Sequence, residues 1–188
     1  MLKTHYFFAC ALPDEMKKEI ERLTAPMKEE DSFKKYVHPE DYHITLAFLG
    51  DAAQENLDAA IDHVTESLHN LGSFPLSLKR FGTFGKSDEP RIFWMGVNPS
   101  STLHQIREKV YEACEEAGFQ LETRPFTPHV TVGRKWNKST RFSKEWLSGF
   151  NPEETPGHLI KEIVLYRTHM DRTPKYEAVH TIHLNESP

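Results

Sequence analysis

"DYHITLAFLG", residues 41–50, sets an ionisable ring two positions before a hydroxyl in what otherwise reads as a buried strand. In a strand, residues i and i+2 share a face while i+1 takes the other. His43 and Thr45 are therefore expected to point one way, with Ile44, Leu46 and Phe48 turned into a core. Further along, "PFTPHVTVGR", residues 125–134, repeats the arrangement, with His129 and Thr131 on one face and Val130 and Val132 behind them.

An offset of 86 residues superposes the two motifs, and it also carries Phe7 onto Phe93 and Pro13 onto Pro99. Apolar residues recur at helical spacing at Met16, Ile20, Leu23 and Met27, at Leu57, Ile61, Val64, Leu68 and Leu71, and at Leu103, Ile106, Val110, Ala113 and Ala117. The first of these helices falls onto the third at the same offset. Aromatic and β-branched runs at 6–12, 43–49, 75–84, 91–97, 128–133, 160–168 and 176–184 read as strands. Each half then reads strand, amphipathic helix, His-x-Thr strand, second helical segment, strand pair. In the second half the second helical segment, "SKEWLSGF" (143–150), is short.

The expected fold is α+β and bilobal: two pseudo-two-fold-related lobes of antiparallel sheet, helices on the outside and a central cleft. Residues 1–188 read as a single domain of two related halves, roughly 1–90 and 91–188, with exchange of strands between the lobes one way of building it. Such a duplication would bring the two motifs face to face.

Bulk properties agree with a globular chain. Hydrophobic residues make up 38% and charged residues 27%, so neither disorder nor a membrane span is suggested. The apolar run at 6–12 mimics part of a signal peptide but is too short, and it reads instead as a first strand. Two cysteines, Cys10 and Cys114, are expected to be free thiols in a reducing cytoplasm. A net charge of −5 argues against coating nucleic acid by bulk electrostatics. One local exception is "HVTVGRKWNKSTR" (129–141), which holds Arg134, Lys135, Lys138 and Arg141 without an acidic residue, enough to meet a phosphate.

The tripeptide alone carries little weight. With 11 histidines, chance supplies roughly one or two His-x-Ser/Thr matches. A third, His63-Val64-Thr65, sits in the helical pattern, where i and i+2 point in different directions, and is read as accidental. Metal ligation fits poorly, because no Cys, Asp or Glu stands at ligand spacing from His43 or His129 on its strand face. His180 and His183, three apart on a strand, point to opposite faces. His5, His38, His69, His104, His158 and His169 read as scattered surface or turn residues. Neither a nucleophile elbow, a P-loop nor a dinucleotide fingerprint is present.

Two imidazoles, one neutral and one protonated, can take a proton from an attacking oxygen and return one to a leaving oxygen. Cleavage of a phosphodiester needs that pairing, with hydroxyls and a cation to meet charge on the non-bridging oxygens. Arg134 is the candidate cation, although strict alternation turns it away from His129 unless Gly133 introduces a bulge or the strand ends there. Its counterpart in the first half is Phe48. A cleft that holds a nucleotide without turnover would use the same side chains as hydrogen-bond donors.

"HYFFACALP", "DYHITLAFLG", "PRIFWMGV" and "PFTPHVTVGR", in this order, resemble the 2H phosphoesterase family, and most its RNA 2′,3′-cyclic phosphodiesterase branch, also called 2′-5′ RNA ligases. The resemblance spans essentially the whole chain. It implies a bilobal α+β fold, no metal cofactor, and hydrolysis of RNA-terminal 2′,3′-cyclic phosphates to 2′-phosphates, with ligation or cleavage of small cyclic nucleotides as variants on the same site. His43 would be the general acid and His129 the general base, with Thr45, Thr131 and Arg134 on the phosphate. RNA 3′ ends or small cyclic nucleotides would be the substrates, with no membrane and no obligate protein partner. Phe8 and Phe48 are candidate stacking partners for the terminal bases.

Overall fold

The computed structural model of the protein describes residues 3–186. Its strands are β1 (Tyr6–Ala11), β2 (Phe33–Tyr36), β3 (His43–Gly50), β4 (Phe74–Leu76), β5 (Leu78–Gly85), β6 (Pro90–Val97), β7 (His129–Trp136), β8 (His158–Ile160), β9 (Glu162–Thr168) and β10 (Tyr176–His183). Its helices are α1 (Asp14–Glu29), α2 (Gln54–Leu68), α3 (Ser101–Glu116) and the short α4 (Lys144–Ser148).

Each long helix buries the stripe its spacing calls for: Met16, Ile20 and Met27 on α1, Leu57, Val64 and Leu68 on α2, Leu103, Ile106 and Val110 on α3. Thr24 joins the buried stripe of α1 because its hydroxyl donates to the Ile20 carbonyl at 2.9 Å, which satisfies it inside the helix. Ser100 caps α3 by accepting from the Leu103 N–H, and Gly118, at φ +91°, turns the chain out of that helix.

The main sheet runs β10-β9-β1-β3-β7-β6-β5, with β2 paired to β7 beside this path, and every pairing between these strands is antiparallel. β1 matches β6, β3 matches β7 and β9 matches β5 about the centre of this order. The first strand of each half pairs with a strand of the other half: β6 with β5, and β1 with β9. β4 and β8 leave the main sheet and pair with each other.

That detour corrects two strand boundaries. The runs at 75–84 and 160–168 each break in two, at Ser77 and at Lys161, because the chain passes there from the small sheet into the large one. β2 was not anticipated, since "FKKY" offers only two aromatic residues and no β-branched one. It is held by pairing with β7 rather than by its own pattern.

Both central strands carry an extra residue just after their motif, and β3 carries a second at Leu49. In β3, Phe8 pairs with Ala47 and Ala9 with Thr45, which leaves Leu46 as a bulge. In β7, Phe93 pairs with Gly133 and Trp94 with Thr131, which leaves Val132 as a bulge. A bulge shifts the alternation by one residue. Phe48 is accordingly 53% exposed instead of buried.

Trp94 is seated in a slot without side chains. It pairs with Gly82 across the β5/β6 ladder, and a Cβ on Gly82 would run into the indole ring, while one on Gly96 would lie 3.0 Å from it. Gly82→Ala should therefore destabilise the protein by about 1–3 kcal/mol, the usual range for overpacking. Denaturant unfolding measures this, and an unchanged midpoint would contradict the seating of Trp94.

Candidate active site

The two lobes of the main sheet meet at one residue pair, Ile44 with Val130. Antiparallel pairing at that point sets residue 43 level with 131 and residue 45 level with 129. Ile44 and Val130 are both fully buried. The side chains of His43, Thr45, His129 and Thr131 thus emerge together on the opposite face, each histidine across from the other motif's threonine.

Both rings are fixed in the same way. The Nδ1–H of His43 donates to the backbone carbonyl of Asp41 at 2.7 Å, and that of His129 donates to the carbonyl of Thr127 at 2.6 Å. With Nδ1 occupied on each ring, Nε2 is the nitrogen left for chemistry. The His43 Nε2 lies 3.0 Å from the Thr45 hydroxyl, which donates to it while the ring is neutral and accepts from it once the ring is protonated.

Aromatic side chains wall in both rings. Phe7 lies 4.8 Å from the His43 ring and Tyr176 meets it edge-on at 5.1 Å, with Tyr166 at 6.1 Å. On the other side Phe84 meets the His129 ring edge-on at 5.0 Å and Trp94 stands at 6.0 Å. Removal from water disfavours a charged imidazole. Burial, opposed by the Asp41 carbonyl and carboxylate but helped by the His129 and Arg134 charges, lowers the His43 pKa to about 4. Burial lowers His129 as well, against the pull of its bond to Thr127.

Asp41 breaks the symmetry. Its side chain is 5% exposed, and its two carboxylate oxygens accept the backbone N–H groups of Lys175 at 2.9 Å and Tyr176 at 3.1 Å. One residue thus holds the His43 ring by its backbone and the start of β10 by its side chain. The equivalent Thr127 carries no charge.

Arg134 reaches the histidine face, by a different device from the one expected. The bulge falls at Val132, ahead of Gly133, and β7 continues to Trp136, so Arg134 shares the side of His129 and Thr131. Its charge acts on His43 and on Tyr176. The rest of the basic stretch is partly committed elsewhere. Lys138 pairs with Glu30 at 3.0 Å and Arg141 lies 3.9 Å from Asp88.

A cleft of about 690 Å³ opens beside the quartet, lined among others by Thr45, Phe48, Phe84, Phe126, His129 and Thr131. Phe48 is therefore placed to meet a ligand, whereas Phe8 is fully buried and cannot stack on a base. Phe84, Phe126, Tyr166 and Tyr176 escaped sequence reasoning because only tertiary pairing brings them to the histidines.

The remaining histidines lie elsewhere. His63 faces Glu116 of α3 at 3.6 Å, on a helix as its spacing required. His158 is not a surface residue: its Nε2 lies 2.6 Å from the Glu19 carboxylate, both side chains being about one-tenth exposed (12% and 10%). Cys10 and Cys114 are free and buried, and burial pushes both thiols up to about 12, which keeps them unreactive. Among the described residues no group of three or more His, Cys, Asp or Glu could hold a metal ion, and no helix is long and apolar enough to cross a membrane.

An α+β fold with paired His-Thr strands meeting at the sheet centre defines a class of protein, and comparison with known proteins gives its family. The chain belongs to the 2′-5′ RNA ligase superfamily, which matches residues 12–172. It is 41% identical over 188 residues to an RNA 2′,3′-cyclic phosphodiesterase of Geobacillus stearothermophilus, covering all of this chain and 60% of that protein's length. It is 30% identical over 186 residues to the RNA 2′,3′-cyclic phosphodiesterase of Bacillus subtilis, covering 98% of each. The crystal structure of E. coli LigT complexed with 3′-AMP shares the fold with a TM-score of 0.80 at 24% identity, over 97% of this chain and 99% of that one.

Two measurements test this electrostatic picture. Removing the carboxylate in Asp41→Ala takes away a charge that favours protonated His43, so the ring should titrate at lower pH than in the parent, followed by NMR; an unchanged or raised value contradicts it. Because His43 titrates near 4 when folded against an ordinary value of 6.5, the unfolded chain binds more protons between these limits. Stability is then full above about 6.5 and falls as pH drops towards 4. His43→Asn should flatten that part of the stability curve.

Proposed function

We propose that the chain is an RNA 2′,3′-cyclic phosphodiesterase that opens the terminal cyclic phosphate of RNA to a 2′-phosphate by paired-histidine acid–base catalysis without a metal. The observation that carries this reading is the quartet of His43, Thr45, His129 and Thr131 on one sheet face, with both Nδ1 atoms anchored on backbone carbonyls and the His43 Nε2 beside the Thr45 hydroxyl. The relatives that match over most of both chains carry the same activity in their names.

His129 acts as base. Its Nε2 takes a proton from water as the water oxygen bonds to phosphorus. His43 acts as acid and delivers its Nε2 proton to the 3′ oxygen as the bond from phosphorus to that oxygen breaks. The two rings then exchange their proton difference with solvent. Thr45, Thr131 and Arg134 hold the non-bridging oxygens and meet the charge that grows on them.

The Asp41 carboxylate supports giving the acid role to His43, because it favours the protonated ring on that side alone. Burial outweighs it in lowering the His43 pKa. A bound phosphodiester anion acts in the same direction as Asp41 and restores the proton. We read residues 1–188 as one 2H phosphoesterase-like unit of two related halves, roughly 1–90 and 91–188. Two buried, unpaired thiols fit a cytoplasmic location.

The test is product analysis on a short RNA ending in a 2′,3′-cyclic phosphate, in excess chelator. A 2′-phosphate product is expected, and loss of activity in chelator overturns the metal-free mechanism. His43→Ala and His129→Ala should each lower the rate by about two to four orders of magnitude. With both pKa values below the ordinary 6.5, kcat/KM should follow a bell with its maximum on the acid side of that value, and a maximum above it contradicts the burial of the pair.

A further inference from the structure

The cleft extends past the histidine face onto α3 and the segment 119–127, and two arginines stand on that far wall, Arg107 and Arg124. Arg124 is paired with Glu122. Arg107 is held differently. Its guanidinium lies 4.2 Å from the centroid of the Tyr111 ring and 5.4 Å from that of Phe126. Among the described residues it makes no hydrogen bond and no ion pair, and its Nε is shielded without a partner.

Rings against the faces of a guanidinium stabilise the cation while leaving its edge of N–H groups free. An unpaired cation held that way in a cleft, on a protein of net charge −5, calls for an anion. Phe126 also ties that anion to the chemistry, because Arg107, Phe126 and His129 line one and the same cleft.

We propose that Arg107, held over the Tyr111 and Phe126 rings, is an anion subsite for the phosphate on the 5′ side of the terminal nucleoside, so that the cleft selects an RNA chain end over a free nucleoside cyclic phosphate. This rests on the cyclic phosphodiesterase reading above and adds the feature by which the substrate is chosen. The cleft, at about 690 Å³, lies well inside the range that holds a ligand larger than one small molecule fragment.

A purely structural Arg107, pinning α3 to the segment 119–127, would affect all substrates alike. The discriminating quantity is therefore a ratio: kcat/KM for a nucleoside 2′,3′-cyclic phosphate bearing a 5′-phosphate over that for the same compound with a 5′-hydroxyl, with a dinucleotide ending in a cyclic phosphate as third substrate. The parent protein should favour the two phosphate-bearing substrates. Arg107→Gln should lower that ratio about ten- to a hundredfold, the span of a charge-assisted hydrogen bond. Arg107→Lys should fall between, keeping the charge and losing the fork. An unchanged ratio in Arg107→Gln overturns the subsite.

Calorimetry separates this from failure of the activity itself. Binding of a nucleoside 2′,5′-bisphosphate is compared with that of the 2′-phosphate, on the full chain, at low and high salt. A preference for the bisphosphate that disappears in Arg107→Gln and weakens with salt supports the subsite even if no cyclic phosphate is turned over. Equal affinities in the parent overturn it.

Discussion

Everything at the centre of this molecule depends on the pairing of Ile44 with Val130. Among the described residues it is the one rung that joins the two lobes of the sheet, and it falls between the histidine and the threonine of both motifs. Two fully buried aliphatic side chains fix that register, because a slip of either strand by one residue would send its own aliphatic side chain into the cleft and its own His-Thr pair into the core. The same hydrophobic burial that joins the lobes therefore sets the geometry of the polar quartet.

The two His-Thr strands repeat one pattern, and the structure departs from that repeat at particular residues. A bulge follows each motif, at Leu46 and at Val132, and moves the cleft face from the odd-numbered to the even-numbered positions beyond it. In one half the position so turned is Phe48, an exposed aromatic surface; in the other it is Arg134, a cation whose field reaches His43. β2 covers the free side of β7, but its counterpart in the second half, residues 119–122, forms no strand. Leu121 and Glu122 line the cleft instead. Asp41, opposite an uncharged Thr127, completes the division by ordering the start of β10 and favouring a proton on one ring only.

How much of this was legible depended on the range of each interaction. The motifs, the repeat and the three long helices could be read, since periodicity is local and the offset of 86 residues is constant across half of the chain. The bulges could not be placed, because Leu46 and Val132 are ordinary strand residues and only the register of β1 and β6 against them reveals the extra position. Reading β3 without its bulge put Phe48 into the core. The Asp41 clamp joins residues 134 and 135 positions apart, and the aromatic walls come from two hairpins at opposite ends of the sheet, so neither leaves a local mark. β2 exists only because β7 offers it a ladder.

The central claim is that one histidine activates water while the other protonates the leaving oxygen, in a single displacement at phosphorus. The stereochemical course at phosphorus tests it most directly. A 2′,3′-cyclic phosphorothioate of one defined configuration, opened by the protein in isotopically labelled water, should give product with inverted configuration at phosphorus. Retention would require a second displacement through a covalent intermediate and would contradict the account.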